Sequence, residues 1–152
     1  MNIGYMRILS LFCFFLLCIS TTFGQCINFA KKVGKQQLGD YIHDGNYNAT
    51  ILEEGESAEL FKTFFSEQKY RVAISKVEAL PDIHMRLLDK EGNVLFDNVE
   101  HDYQLTWDFK VESTQMLIVE LNVLEREGDS SELINGCVSV MFGLEPTKEK
   151  KR

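Results

Sequence analysis

From Tyr47 to Leu144 the chain is dominated by alternation of apolar and polar positions. Tyr70, Val72 and Ile74 alternate with Arg71, Ala73 and Ser75, Ile83, Met85 and Leu87 with His84 and Arg86, and Leu105, Trp107, Phe109 and Val111 with Thr106, Asp108 and Lys110. A period of two sends successive side chains to opposite faces of a strand, so each run predicts a strand with one buried and one wet face. Trp107 is in phase with Leu105 and Phe109 and is expected in the core. Strands are predicted at 47–53, 57–65, 69–77, 83–89, 94–98, 103–111, 115–123 and 136–144, each rich in β-branched and aromatic residues. The segment MLIVEL, 116–121, is apolar on both faces as far as Glu120, which predicts a central strand.

Turn chemistry separates these runs. In DKEGN, 89–93, Gly92 and Asn93 are available for positive φ, which suits a tight antiparallel connection. Pro81 and Asp82 break the chain before the next strand, and the polar stretch 125–135 predicts a surface loop. Ahead of the strands, Phe29, Val33 and Leu38 fall near helical spacing with Lys31, Lys32 and Lys35 off that face, which predicts a short N-terminal helix interrupted at Gly34. The fold class is therefore all-β, an antiparallel β-sandwich of jelly-roll or Greek-key type with a short N-terminal helix.

The N-terminus has a different pattern. One positive charge, Arg7, precedes the apolar run 8–19 and the small polar Ser20-Thr21-Thr22. This is the order of a secretory signal peptide, and the run is shorter than the roughly 20 residues a spanning helix needs. Thr22 and Gly24 suit the −3 and −1 positions of a cleavage site before Gln25. The domains expected are a signal peptide at 1–24, a single sandwich domain at 25–146 and a disordered basic tail at 147–152. Such a chain is secreted or periplasmic and keeps no integral membrane segment after cleavage. In a bacterial lipoprotein Cys26 would be the acylated first residue, but Gln25 and Phe23 suit that processing poorly.

Without the leader two cysteines remain, Cys26 and Cys137, and an even pair in an exported chain predicts a disulfide. Two unrelated thiols are the alternative. Losing Arg7 with the leader moves the net charge from −7 to −8, so nucleic acid is not an expected partner.

Chemistry is sparse. His43, His84 and His101 lack the His-x-His or His-x-x-x-His spacing of a metal site, and no G-x-S-x-G elbow or phosphate-binding glycine loop is present. Neither a catalytic residue nor a cofactor nor a metal is assigned. Two clusters of oxygen-bearing residues, Asp40, Asp44 and Asn46 and then Asp97, Asn98, Glu100 and Asp102, match ordinary turn chemistry better than a calcium loop. Asn48-Ala49-Thr50 is an N-x-T glycosylation sequon. Tyr41, Tyr47 and Tyr103 are the aromatics expected at the surface and the candidates for ligand binding, for example by stacking on a sugar.

The strand EQKYRVAIS, the segment IHMRLLDKEGNVLFDN, the strand WDFKV and the following LIVEL together resemble the small secreted β-sandwich proteins of Bacteroidetes-type bacteria, in particular prepeptidase C-terminal domains. The resemblance covers about residues 50 to 142. It implies a non-catalytic module of the kind that accompanies secreted hydrolases. The function expected is a secreted, non-catalytic binding or accessory module whose partner is a secreted or envelope protein or a glycan. A carbohydrate-active or peptide-processing secreted enzyme is the alternative, and an envelope structural protein associating through a strand edge is a third reading.

Overall fold

The computed structural model describes residues 23–126 and 132–147. Residues 1–22 of the leader expected at 1–24, residues 127–131 of the surface loop expected at 125–135, and tail residues 148–152 lie outside the described residues.

Helix α1, Phe23–Lys32, is followed by a 3₁₀ turn, Gly34–Leu38. Cys26 and Ala30, one helical turn apart, are buried on one side, and Lys31 and Lys32 in the last turn suit the negative end of the helix dipole. The expected cleavage bond Gly24–Gln25 lies in the first turn of α1, just ahead of Cys26.

Among the described residues nine strands follow: β1 Ile42–His43, β2 Asn48–Glu53, β3 Ser57–Phe64, β4 Gln68–Lys76, β5 Ile83–Asp89, β6 Val94–Asp97, β7 Thr106–Val111, β8 Gln115–Val123 and β9 Asn135–Leu144. All pairings are antiparallel. One sheet places β1 and β2 against β9, then β4 and β7, and the other runs β3-β8-β5-β6. Eight strands fall within a few residues of the predicted spans. The two-residue β1 was not predicted, because Ile42 and His43 are too few to show a period.

The sandwich interior holds the residues the alternation assigned to it, Tyr70, Val72 and Ile74 on β4 and Ile83, Met85 and Leu87 on β5, together with Val138, Val140 and Phe142 of β9. Phe64 is fully buried at its centre, edge-on to Tyr70, Phe109 and Phe142 at ring separations of 4.9, 5.2 and 5.6 Å. Trp107 packs against this core while half-buried, with its ring stacked 4.0 Å from Phe96, and it closes the seam between β6 and β7. In the β5–β6 turn only Gly92 takes positive φ, at 86°. Asn93 contributes through its amide instead, donating to Asp89 Oδ2 at 2.7 Å, while Asp89 Oδ1 accepts from the backbone of Glu91 and Asn93.

The alternation missed one thing. Ala73 and Ser75 on β4, expected on a wet face, are buried because α1 and the 3₁₀ turn lie over that side of the five-stranded sheet. The bed they lie on combines the small Ala73, Ser75, Ser139 and Gly143 with the flexible Met141. A Cβ on Gly143 would come 2.6 Å from Tyr41 Cβ, and one on Gly34 would come 2.7 Å from Ser139 Oγ, so the cover sits close only because those side chains are absent. The bond between Cys26 and Cys137 staples α1 to β9, across a sequence separation of 111.

Candidate functional site

Among the described residues nothing covers the four-stranded sheet in this way. Its outward positions follow from the register. Phe61 of β3 stands opposite Ile118 of β8, Ile118 opposite Leu88 of β5, and Leu88 opposite Val94 at the irregular end of β6. At about 4.8 Å per strand this apolar row is roughly 14 Å long. Phe61 is 55 % exposed, Val94 49 %, Leu95 51 %, and Met116, next to Ile118 along β8, 41 %. The central position predicted for β8 holds, but apolar Met116 and Ile118 do not earn that strand a second buried face.

Beside the apolar row runs a charged one. Glu59 is opposite Glu120, Glu120 opposite Arg86, and Arg86 opposite Asp97. Arg86 Nη2 donates to Glu120 Oε1 at 2.7 Å, and His84 Nε2 lies 2.8 Å from Asp97 Oδ1. Burial works to raise the pKa of Asp97, and the Val99 N–H and His84 outweigh it, leaving the carboxyl below the usual aspartate range. Among the described residues no cation lies within ion-pair distance of Glu59.

The next row places Ser57 opposite Asn122 and Asn122 opposite His84. A serine and a His–Asp pair on one row invite comparison with a hydrolytic triad. Asn122 stands between them and donates to Ser57 Oγ at 2.8 Å, so Ser57 and His84 are two strand spacings apart, roughly 10 Å. That is well beyond the hydrogen-bond reach a nucleophile and its base require.

The tyrosines named from the sequence do not share a site. Tyr41 packs under the cover and donates from its hydroxyl to Asp108 Oδ2 at 2.9 Å. Asp108 is also gripped by Arg71, through Nε at 2.7 Å and Nη2 at 2.9 Å, and the guanidinium lies 4.4 Å from the centre of the Tyr41 ring. The Arg71 guanidinium holds the Asp108 carboxyl below its usual range, and burial, then the bond to Asp108, raises the Tyr41 hydroxyl. Tyr47 packs against the same small cluster and against the His43 ring at 4.6 Å. Tyr103, at φ 54°, lies half-buried in the connection before β7, its N–H donating to Asn98 O.

The oxygen clusters are spent on the fold. Asn98 is fully buried, accepting from Met85 N and donating to Ile83 O, and Asp97 caps the following 3₁₀ turn through Val99 N. Asp44 accepts from Lys62 Nζ at 2.6 Å and from Asn46 N at 2.8 Å. Burial opposes ionisation of Asp44, yet Lys62 and the Asn46 N–H lower its pKa on balance. Among the described residues no group of three or more His, Cys, Asp or Glu is placed to hold a metal ion. The sequon asparagine, Asn48, is half-buried and donates its amide to Val140 O at 3.2 Å.

One cavity opens between the free edges of β2 and β3, an apolar slot of about 170 Å³ lined by Asn48, Thr50, Ala58, Leu60, Val119 and Val140. Lys62 of β3 points inward beside it, over the Phe142 ring, and reaches across the seam to Asp44. An inward-pointing lysine on an edge strand discourages strand addition. The candidate binding surface is therefore the open face of the sheet and not this edge. No single motif revealed it, because its members come from four strands.

No protein-family model and no curated protein matches this chain. Among solved structures it is similar to the crystal structure of Aeromonas hydrophila PliG, a periplasmic lysozyme inhibitor of g-type lysozyme, with a TM-score of 0.49 and 7 % identity over 65 % of this chain and 84 % of that one.

Proposed function

We propose that this protein is an exported, non-catalytic binding module that docks a protein partner on the outer face of its β3-β8-β5-β6 sheet. The observation that carries the reading is the row Phe61, Ile118, Leu88 and Val94, with Leu95 and Met116, left uncovered on a sheet whose counterpart is roofed by a helix. Exposed apolar patches rimmed by polar residues mark interaction surfaces on soluble proteins. A strand-crossing patch with aromatic and aliphatic anchors has the make-up of an interface core. Export is supported by the leader pattern and by the disulfide between Cys26 and Cys137, a bond that persists in oxidising compartments. Because the Cys26 sulfur is engaged in that bond, it is not the thioether sulfur of a lipid anchor. Among the described residues no helix is long and apolar enough to cross a membrane.

The test is site-specific photo-crosslinking in the native host. A benzophenone amino acid replaces Phe61 in one version and Lys32, on the opposite face, in another. The expected result is a discrete protein adduct from position 61 and none from position 32, with the captured protein, once purified, binding wild type and losing affinity for Leu88→Glu. Adducts from position 32 alone, or only glycan retention without a protein adduct, would overturn the reading.

A further inference from the structure

Resting on that docking face, we infer that the partner presents a basic segment, setting a Lys or Arg side chain between Glu59 and Glu120 while an apolar side chain sits on Phe61 and Ile118. The register places the two carboxylates directly opposite each other on neighbouring strands, and like charges so placed destabilise a sheet. Glu120 is served from one side by Arg86, whereas Glu59 has no cation within ion-pair distance among the described residues. The fold thus maintains two facing carboxylates beside its exposed apolar row, with a cation on Glu120 and, among the described residues, none on Glu59. The whole row counts three carboxylates against one guanidinium, with His84 bound to Asp97.

Among the described residues Arg86 is the one cation on this row, and others are engaged away from Glu59. Lys31, Lys32 and Lys35 belong to the covering helix and 3₁₀ turn, Arg71 is committed to Asp108, and Lys62 is turned inward to Asp44. A net charge of −7 adds long-range attraction for a cationic partner and repels another copy of this chain. In a two-fold self-association the same surface patch would meet itself, carboxylate excess included. Charge therefore selects a basic partner over a second copy.

The test titrates the isotope-labelled protein, disulfide intact, with capped tetrapeptides Arg-Leu-Arg-Phe, Gln-Leu-Gln-Phe and Glu-Leu-Glu-Phe, following amide shifts. The arginine peptide is expected to move the amides of Glu59, Phe61, Ile118 and Glu120. Its affinity should fall about tenfold for the glutamine peptide and for Glu59→Gln, as loss of a charge-assisted contact implies, and remain unchanged for Lys31→Gln. Glu59 has no ion pair to lose, so Glu59→Gln should fold as wild type, which thermal denaturation checks. If the glutamine peptide binds the same amides equally well, or Glu59→Gln changes nothing, the basic partner is overturned and the docking face stands. If no peptide perturbs this face, or the shifts fall on the α1 side, both are overturned. A protein dimer under native conditions, dissociated by Phe61→Ser, would also overturn the basic partner by naming a second copy as the occupant.

Discussion

The two outer faces of the sandwich were built by opposite rules. On the five-stranded sheet the outward residues include the small or hydroxylic Ala73, Ser75, Ser139 and Gly143 beside Met141 and Arg71, and a helix, a 3₁₀ turn and a disulfide lie over them. On the four-stranded sheet they include Phe61, Ile118, Leu88 and Leu95, and nothing among the described residues lies over them. Intrinsic hydrophobicity would have assigned cover the other way round. A close helix needs a shallow bed, since an added Cβ there meets the cover below 3 Å, so small side chains mark the covered face. Bulky apolar side chains left in water cost solvation without gaining packing, which is why this face is proposed as a docking surface.

If the cover is integral to the fold and the bare face is not, substitutions on the two sides should differ sharply in stability. The largest effect is expected from the staple. Replacing Cys26 and Cys137 by serine should cost about 4 kcal/mol, from the entropy of a closed loop of over 100 residues, seen as a lower urea midpoint. A midpoint within experimental error of wild type would show that α1 holds its place by packing alone. Next, Gly143→Ala should cost about 1–3 kcal/mol by overpacking against Tyr41 and Leu38, and calorimetry showing no loss would mean the cover rides higher than the structure has it.

Asp108→Asn should cost on the order of 1–3 kcal/mol at neutral pH, since it breaks the paired contact to Arg71. Its pH dependence has a definite sign. The Asp108 pKa is lowered in the folded protein, so its contribution is fully present above the unfolded value near 3.9 and is lost as pH falls through the folded one. The stability gap between wild type and Asp108→Asn should therefore close in acid, and a gap that persists at pH 2 would assign the loss to packing. The smallest effect is expected on the bare face, where Phe61→Ser should change stability by no more than about 0.5 kcal/mol while abolishing partner capture. A loss of several kcal/mol there would make Phe61 a structural residue and dissolve the contrast.

Much of this contrast was invisible in the sequence for a specific reason. The period-two pattern reports which residues share a face, and it placed Val72, Met85 and Phe109 in the interior correctly. It carries no information on whether the opposite face is roofed, because Arg71, Ala73 and Ser75 read the same under a helix as under water. The tyrosines illustrate the same limit. Tyr41 looked available in a turn-rich stretch, and only its contact with Asp108, 67 positions away, shows that its hydroxyl is already engaged. The candidate face was harder still, for Glu59 and Glu120 become neighbours only through the pairing of β3 with β8.

The sequence by itself determined the strands, the two-sided sandwich, the apolar interior and the pairing of Cys26 with Cys137, since these follow from local periodicity, turn residues and the parity of two cysteines. Tertiary structure alone decided which face received the helix, which tyrosines were consumed by packing, and that Phe61, Ile118 and Leu88 would line up beside the facing carboxylates Glu59 and Glu120. Register between strands far apart in the chain sets those neighbours, and register is fixed by the packing of the whole sandwich and not by any one strand.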